Sequence, residues 1–386
     1  MSGLPFRIRT KRNFLRVRRL ASRVLGHDDT VYVSQRVPEY RGYWSGAAAL
    51  LSAKFEDLAD DMWEITLGDQ RTRIINYITE ADDPVTLRLA GRKPYCIELA
   101  RDAGLPVASV GAYPVQDWSS ILSTLDRVNG PLVVKPAYGT SAGLGITTRI
   151  QNRRELERAT LLASLYHHEI LIERFVPGES CRLLFLNGEM IDAVRRRGVR
   201  VIGDNSSTIK QLLLRDGLPD LTGDDTAKLT LEAQGLTFES VGAQGQSMLV
   251  RHLPAGEKKL RELRTVYNES IIDEVGPDLR DEIGRLVRKL RCQLVAVDLL
   301  TNDTTVSLTR SGGVFLEINT TPGIHHHYHT LEDFERHPVA VKILAYLLQA
   351  DRRDASHAPG TTTNGSNRPS AYEVDDHATR KSTHIK

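Results

Sequence analysis

The sequence predicts a mixed α/β fold made of α+β lobes and preceded by a small N-terminal α/β domain. Two apolar runs, residues 294–300 and 315–319, are typical of buried strands, and each contains a carboxylate. A third strand-like run, residues 132–136, contains a lysine near its end and precedes a glycine-rich loop. A chain of 386 residues that is 40% hydrophobic is long enough for two or three packed lobes.

Three side chains with oxygen donors lie in two of these strands. Glu317 and Asn319 are two residues apart, which directs both to the same face of a strand. If the strand that carries Asp298 pairs with theirs, the three oxygens converge. Hard divalent cations such as Mg²⁺ or Mn²⁺ take such ligands and share them with phosphates. The alternative is a surface carboxylate and an asparagine that starts a turn.

A phosphate-binding loop is predicted after Lys135. Residues 137–145 contain three glycines and two small hydroxyl residues. Glycine tolerates the positive φ that a backbone anion nest needs, and the lysine adds a point charge. The loop is not a Walker A loop because no lysine follows Gly145. The alternative is a plain hairpin turn.

The segment 168–179 predicts a buried strand that ends at a Pro177–Gly178 turn. Backbone groups and carboxylates at such a strand end suit an adenine edge and a ribose diol. The alternative is an ordinary strand end with a solvated glutamate, which is the more common arrangement.

In their order along the chain, these segments resemble the ATP-grasp superfamily, in particular the ATP-grasp domain of cyanophycin synthetase and bifunctional glutathione synthetase. The likeness covers roughly residues 85–345. The matching segments are Gly91–Pro94, Ala103–Val107, Val133–Pro136, Gly139–Gly145, Leu171–Gly178, Arg182–Gly188, Val201–Ile209, Gln234–Val241 and Leu249–Arg251. Arg92 stands where the family usually has an acid, and Asn205 replaces a glycine.

The resemblance implies an ATP-grasp fold and a role for each matched residue. The implied phosphate ligands are Lys93, Lys135 and the loop positions Gly139, Ser141, Gly143 and Gly145. The implied adenine and ribose contacts are Glu173, Arg174, Phe175 and Glu179. Asp298, Glu317 and Asn319 are implied to hold Mg²⁺. Arg182 and one arginine of residues 195–197, with Arg197 favoured, are implied to steady the transferred phosphate.

Two segments depart from the family pattern, and both flank its reacting centre. Residues 258–274 form a longer charged stretch, and Ile324–His329 stands where an arginine usually follows Pro322 and Gly323. We therefore expect retained ATP chemistry and a changed substrate pocket, with His325 and His327 as candidate substrate residues. Clustered histidines leave a dedicated metal or a structural role open.

The resemblance implies an ATP-dependent ligase that joins a carboxylate to an amine through an acyl phosphate, on an amino acid or peptide. Two alternatives share the nucleotide site: a small-molecule phosphotransferase and a non-catalytic nucleotide-binding protein. The three metal ligands argue against the second. The Mur-type domain of cyanophycin synthetase is not found in these residues, so polymerase activity is not expected.

Composition indicates the partners and the compartment. A net charge of +2 gives no reason to expect nucleic-acid binding, and no apolar stretch is long enough to span a membrane. Three dispersed cysteines suit a reducing, cytoplasmic compartment. The expected partners are small carboxylate and amine substrates, and a homo-oligomer is left open.

Five segments are expected: a basic segment 1–28, a pre-domain 29–90, an ATP-grasp N-terminal lobe 91–165, a C-terminal lobe 166–349 and a disordered tail 350–386. The first 25 residues hold eight lysines and arginines, which suits a packed surface helix, a contact with an acidic surface or an organelle transit segment. The tail is polar and lacks apolar periodicity, which predicts disorder.

Overall fold

The computed structural model describes residues 36–138, 145–196, 198–216, 218, 221–223, 225–232, 234–251, 268–330 and 338–349, together with Thr10, Lys11 and Asn13. Several predicted features lie outside these residues: Gly139, Ser141, Gly143, Arg197, the tail 350–386, most of the basic segment, and residues 258–267 of the charged stretch.

The N-terminal unit is a helix packed on an antiparallel meander. Its elements are α1 (Val37–Leu50), β1 (Lys54–Ala59), β2 (Met62–Leu67), β3 (Gln70–Ile75) and β4 (Ile78–Thr79), and the short helices α2 (Pro84–Ala90) and α3 (Lys93–Asp102) follow. Tyr40, Trp44 and Ala47 recur at helical spacing and are buried. They pack with Trp63 and Ile65, alternate residues on one face of β2.

A small four-stranded sheet follows. It contains β5 (Ser109–Pro114), β6 (Leu132–Pro136), β7 (Thr147–Ile150) and β8 (Glu169–Arg174) in the order β5-β8-β6-β7, with α4 (Trp118–Arg127) and α5 (Arg153–Ala163) packed against it. Because β8 pairs with both β5 and β6, the expected lobe boundary between residues 165 and 166 cuts through this sheet. We place the boundary after Arg174 instead.

The largest sheet has five antiparallel strands in the order β13-β10-β9-β14-β15. The strands are β9 (Glu179–Leu186), β10 (Glu189–Arg196), β13 (Asn268–Ser270), β14 (Leu294–Thr301) and β15 (Val314–Thr320). Between β10 and β13 in sequence lie β11 (Val199–Ile202), α6 (Ile209–Arg215), α7 (Asp225–Glu232) and β12 (Ser247–Arg251), which share a separate core. The remaining helices are α8 (Pro277–Leu290), α9 (Leu308–Ser311), a 3-10 helix (Ile324–His327) and α10 (Val339–Leu347).

Both faces of the large sheet are buried, and they carry different cores. Leu183 and Phe185 pack with α3 and α8, whereas Leu184 and Leu186 pack with α1, α10 and the N-terminal meander. This alternation follows from the two-residue period of a strand. The N-terminal unit therefore covers one face of the sheet that carries the candidate site.

The described residues include no helix with both the length and the apolar character needed to cross a membrane. All three cysteines are described, and each is free and buried.

Candidate active site

Three charged side chains meet on adjacent strands of the large sheet. Asp298 on β14 lies opposite Arg182 on β9 and opposite Glu317 on β15. Arg182 Nε and Nη2 donate to the two oxygens of Asp298 at 2.7 and 2.8 Å, and Asn319 Nδ2 donates to Asp298 Oδ2 at 3.0 Å. The structure thus brings together the three side chains that the sequence assigned to a metal.

Asp298 is buried and ionised. Burial alone would raise the pKa of its carboxyl group, but the charges of Arg182 and Arg196 and the hydrogen bonds to Arg182 and Asn319 outweigh burial and lower it. A buried carboxylate held by a bidentate guanidinium is a fixed negative charge in the middle of the site.

Arg196 is the arginine of the predicted run 195–197 that the structure places at Asp298, although Arg197 was favoured. Arg196 Nη1 lies 3.5 Å from Asp298 Oδ2, an oxygen that Arg182 also binds. Burial and the neighbouring charge of Arg182 lower the pKa of Arg196 to about 10, although Asp298 and Glu317 act in the opposite direction. This guanidinium is therefore poorly neutralised within the protein.

Strand alternation explains why Arg196, rather than its neighbour, enters the site. Arg195 points to the opposite face, where its guanidinium contacts Glu179 at 3.0 Å, Glu269 at 3.0 Å and Glu274 at 2.7 Å. From Asp192 to Arg196, the even-numbered residues of β10 share a face with Arg182, because Val194 is paired with Arg182.

The two predicted phosphate lysines each pair with a carboxylate. Lys93, at the start of α3, lies 3.4 Å from Glu317 Oε2. Lys135 Nζ lies 2.9 Å from Glu173 Oε1, and both side chains are only 5% exposed. Burial would lower the pKa of Lys135, but Glu173, Glu317 and Asp298 together raise it. Lys135 on the small sheet is therefore near Glu317 and Asp298 of the large sheet, the predicted metal ligands.

Part of the segment predicted to contact adenine forms backbone hydrogen bonds within the protein. The backbone N–H of Arg174 donates to Ala108, and that of Phe175 donates to Pro131. These two N–H groups are therefore not available to an adenine edge, which corrects that part of the prediction. The Arg149 guanidinium lies over the Phe175 ring, 5.0 Å from the ring centroid.

Gly145 is the described member of the predicted loop glycines. Its φ of +77° is left-handed, and a Cβ there would lie 2.8 Å from the Tyr166 ring and 2.9 Å from Pro136. Only glycine fits this position without strain.

His327 is an interior residue and not a substrate contact. Its Nδ1 lies 2.8 Å from Asp192 Oδ2, and the two side chains are 0% and 1% exposed. A carboxylate in the core needs such a partner, which explains the histidine and corrects the predicted role. His325 is also buried, and its Nδ1 shares a hydrogen bond of 2.7 Å with Tyr40 Oη.

The donor set fits Mg²⁺ shared with a nucleotide. The described residues hold no group of three or more His, Cys, Asp or Glu side chains that would cage a metal ion. Mg²⁺ is usually held by one or two carboxylates together with phosphate oxygens and water. Because Asn319 uses its nitrogen on Asp298, its carbonyl oxygen remains as the donor beside Glu317.

The chain resembles two kinds of curated protein over most of its length. The chain is 28% identical over 324 residues to cyanophycin synthetase of Crocosphaera subtropica, which covers 79% of this chain and 35% of the relative. It is 23% identical over 270 residues to the glutathione biosynthesis bifunctional protein GshAB of Streptococcus mutans, which covers 65% of this chain and 34% of the relative.

A solved structure agrees on the fold. The bifunctional glutathione synthetase from Pasteurella multocida superposes with a TM-score of 0.54 at 19% identity, covering 78% of this chain and 43% of that chain. No protein-family model matches the sequence. The predicted fold class and the predicted resemblance are thus confirmed, while the chain spans about a third of the length of the curated relatives.

Proposed function

We propose that the protein is an ATP-dependent carboxylate–amine ligase that forms an amide or peptide bond on an amino acid or peptide. The observation that carries the proposal is a pair of guanidinium groups on one carboxylate beside Glu317: Arg182, which is buried, and Arg196, which is partly buried. The similarity to proteins named for cyanophycin and glutathione synthesis supports the same class of reaction.

The charge of the site favours a polyanion. Among the described residues, the cations Lys93, Lys135, Arg182 and Arg196 lie around the carboxylates Glu173, Asp298 and Glu317. A buried cation without full neutralisation is costly, and an anionic ligand removes that cost. Triphosphate and acyl phosphate groups have the required charge, and a neutral substrate does not.

The proposed reaction has two steps. A carboxylate oxygen of the acid attacks the γ-phosphorus, the bond to the β-phosphate oxygen breaks, and ADP leaves. The amine nitrogen then attacks the carbonyl carbon of the acyl phosphate, phosphate leaves with the C–O bonding electrons, and the amine proton passes to solvent.

The protein contributes by positioning the phosphates and by stabilising the charge of the transferred phosphoryl group. Lys93 and Lys135 would bind the phosphates of ATP, and Arg182 and Arg196 would stabilise the charge on the transferred phosphoryl group. Mg²⁺ held by Asp298, Glu317 and Asn319 would neutralise phosphate charge. The proposal includes a cytoplasmic location, which the three free buried cysteines support.

The test is ADP release over a matrix of free L-amino acids and dipeptides, supplied singly and in pairs, with mass spectrometry of the products. The expected result is rapid ADP release only with particular acid–amine pairs, together with a condensed product. A phosphorylated product that accumulates without an amine would favour the phosphotransferase. Absence of ADP release in every combination would favour a non-catalytic nucleotide-binding protein.

A further inference from the structure

One face of helix α1 is directed at the segment that follows the predicted metal strand β15. We call residues 324–329 the His segment. Glu39, Tyr40 and Tyr43 contact it, and Arg36 supports Glu39. Their spacing of three, four and seven residues from Arg36 places them on one side of the helix.

The contacts are specific to individual side chains. The Tyr40 hydroxyl bonds to His325 Nδ1 at 2.7 Å, and the two rings meet edge to face with centroids 5.9 Å apart. Tyr43 stacks on Tyr328 with centroids 4.0 Å apart and 13° between the ring planes. His329 Nε2 contacts Glu39 Oε1.

Glu39 is held as an anion by these neighbours. Burial would raise the pKa of its carboxyl group, but the hydrogen bonds to His329 and Tyr43 and the charges of His329 and Arg36 lower it to about 2. The Tyr43 hydroxyl donates to Glu39 Oε1 at 2.7 Å. The N-terminal unit is thus fixed to the His segment by both polar and aromatic contacts.

Space around Tyr40 and His325 is tight. A Cβ on Gly323 would lie 2.6 Å from His325 Cε1 and 3.3 Å from Tyr40 Oη. Gly323 lies only four residues after Asn319 in the sequence. The orientation of the His325 ring is therefore determined by Tyr40 on one side and by the chain leaving β15 on the other.

The His segment borders the two site arginines. Burial and the charges of His325, Arg196, Arg182 and His327 pull the pKa of His326 well below its usual value. Asn268 on β13 is paired with Arg196 on β10, and its Nδ2 donates to the His326 carbonyl oxygen at 2.9 Å. The His segment therefore lies beside the strand that carries Arg196.

We propose that Tyr40 is a positioning residue for substrate selection: its hydroxyl fixes the His325 ring at the wall of the pocket that takes the carboxylate of an amino acid or peptide. The hydrogen bond involves Nδ1 rather than Nε2 of the ring. This inference rests on the ligase function proposed above and assigns part of its substrate selection to the N-terminal unit.

The test compares two single-atom deletions. Tyr40→Phe removes the hydroxyl and keeps the ring. Tyr346→Phe is the matched control, because Tyr346 packs against the same core and its hydroxyl donates to Gln293 Oε1 at 2.9 Å rather than to a histidine. The probe is the amino acid or dipeptide pair with the fastest ADP release in the wild-type matrix.

Tyr40→Phe is expected to raise the KM of the acid roughly 10-fold, the scale of one lost hydrogen bond, with kcat and the KM of ATP changed less than about twofold. Tyr346→Phe is expected to change none of these. Equal changes in the KM of the acid in the two variants would overturn the inference. A rise in the KM of ATP as large as the rise in the KM of the acid would also overturn it.

A double-mutant cycle separates positioning from general packing. If Tyr40 acts through His325, Tyr40→Phe adds nothing further in a His325→Gln background. Full additivity would contradict the inference, and His325→Ala serves in the cycle if the glutamine variant melts early.

If wild-type protein releases no ADP with any pair, the ligase proposal fails first. If wild-type turns over and Tyr40→Phe matches the control, only this inference fails.

Discussion

The nucleotide side and the substrate side of this site are built by different kinds of contact. On the nucleotide side, Arg182, Asp298 and Glu317 face one another because their strands pair in register. On the substrate side, Tyr40 meets His325 across 285 residues of sequence, through a helix packed on the sheet. Strand register converts sequence spacing directly into geometry, whereas helix packing does not.

The largest expected effect is on the nucleotide side. Glu317→Ala should lower turnover at least ~100-fold without unfolding the protein, because it removes a metal carboxylate and the partner of Lys93. Glu64→Ala is the control, since Glu64 is also a strand carboxylate paired with an arginine, Arg73, but lies in the N-terminal meander. Steady-state ADP release measures both. Near wild-type turnover of Glu317→Ala would contradict the metal assignment.

Adjacent arginines on β10 offer a sharper comparison. Arg196→Ala should lower kcat by roughly 10- to 100-fold, because this guanidinium faces Asp298 and is assigned to the transferred phosphoryl group. Arg195→Ala should act mainly on the KM of ATP, because Arg195 binds Glu179, the predicted ribose residue. Steady-state kinetics with varied ATP separates the two parameters. The same kinetic pattern in both variants would remove the distinction between the faces.

A substitution at Lys135 tests whether the small sheet contributes to ATP binding. Lys135→Ala should weaken binding of a non-hydrolysable ATP analogue roughly 10-fold, because it removes a buried cation next to the predicted phosphate loop. Lys210→Ala, on the exposed side of α6, should bind like wild type. Titration calorimetry gives both affinities, and thermal melting checks that the unpaired Glu173 has not unfolded the variant. Matching affinities would place the phosphates elsewhere.

The sequence predicted which side chains meet on β14 and β15. Asp298, Glu317 and Asn319 converge as expected, because a two-residue spacing fixes the strand face and apolar runs locate the strands. The sequence did not single out Arg196 within the predicted run 195–197, because an error of one residue in strand phase changes the face. The lobe boundary was misplaced because the position of β8 depends on pairing with strands distant in sequence.

The substrate side was harder to predict for a physical reason. The histidine cluster was visible, but nothing local indicates that His327 contacts the buried Asp192 or that Tyr40 contacts His325. Both contacts join residues more than 100 positions apart, and they depend on how whole elements pack. Composition and periodicity do not contain that information.

The smallest expected effect is a pH dependence of the free energy of unfolding of the protein, caused by His326. Folding keeps the pKa of His326 well below 6.5, so the unfolded state binds a proton that the folded state excludes. Stability should therefore fall as pH drops below about 6.5, by at most about 1.4 kcal/mol per pH unit for this group. His326 faces His325, His327, Arg182 and Arg196, whose charges act in the same direction.

Melting temperatures at pH 7 and pH 5.5 test this linkage. Between pH 7 and pH 5.5, the melting temperature of His326→Asn should fall by roughly 2 °C less than that of wild type. His168→Asn, at an exposed position on the small-sheet side, should keep the wild-type slope. A wild-type slope in His326→Asn would show that its imidazole is not excluded from protonation.

The most direct measurement of the proposed ligase reaction follows an oxygen atom. The acid that gives the fastest ADP release is labelled with ¹⁸O in its carboxylate and incubated with ATP and its amine partner, and the released phosphate is analysed by mass spectrometry. The acyl phosphate route predicts one ¹⁸O atom in each phosphate and one in the amide carbonyl. Phosphate without label, formed while the amide accumulates, would contradict carboxylate activation at Arg182 and Arg196.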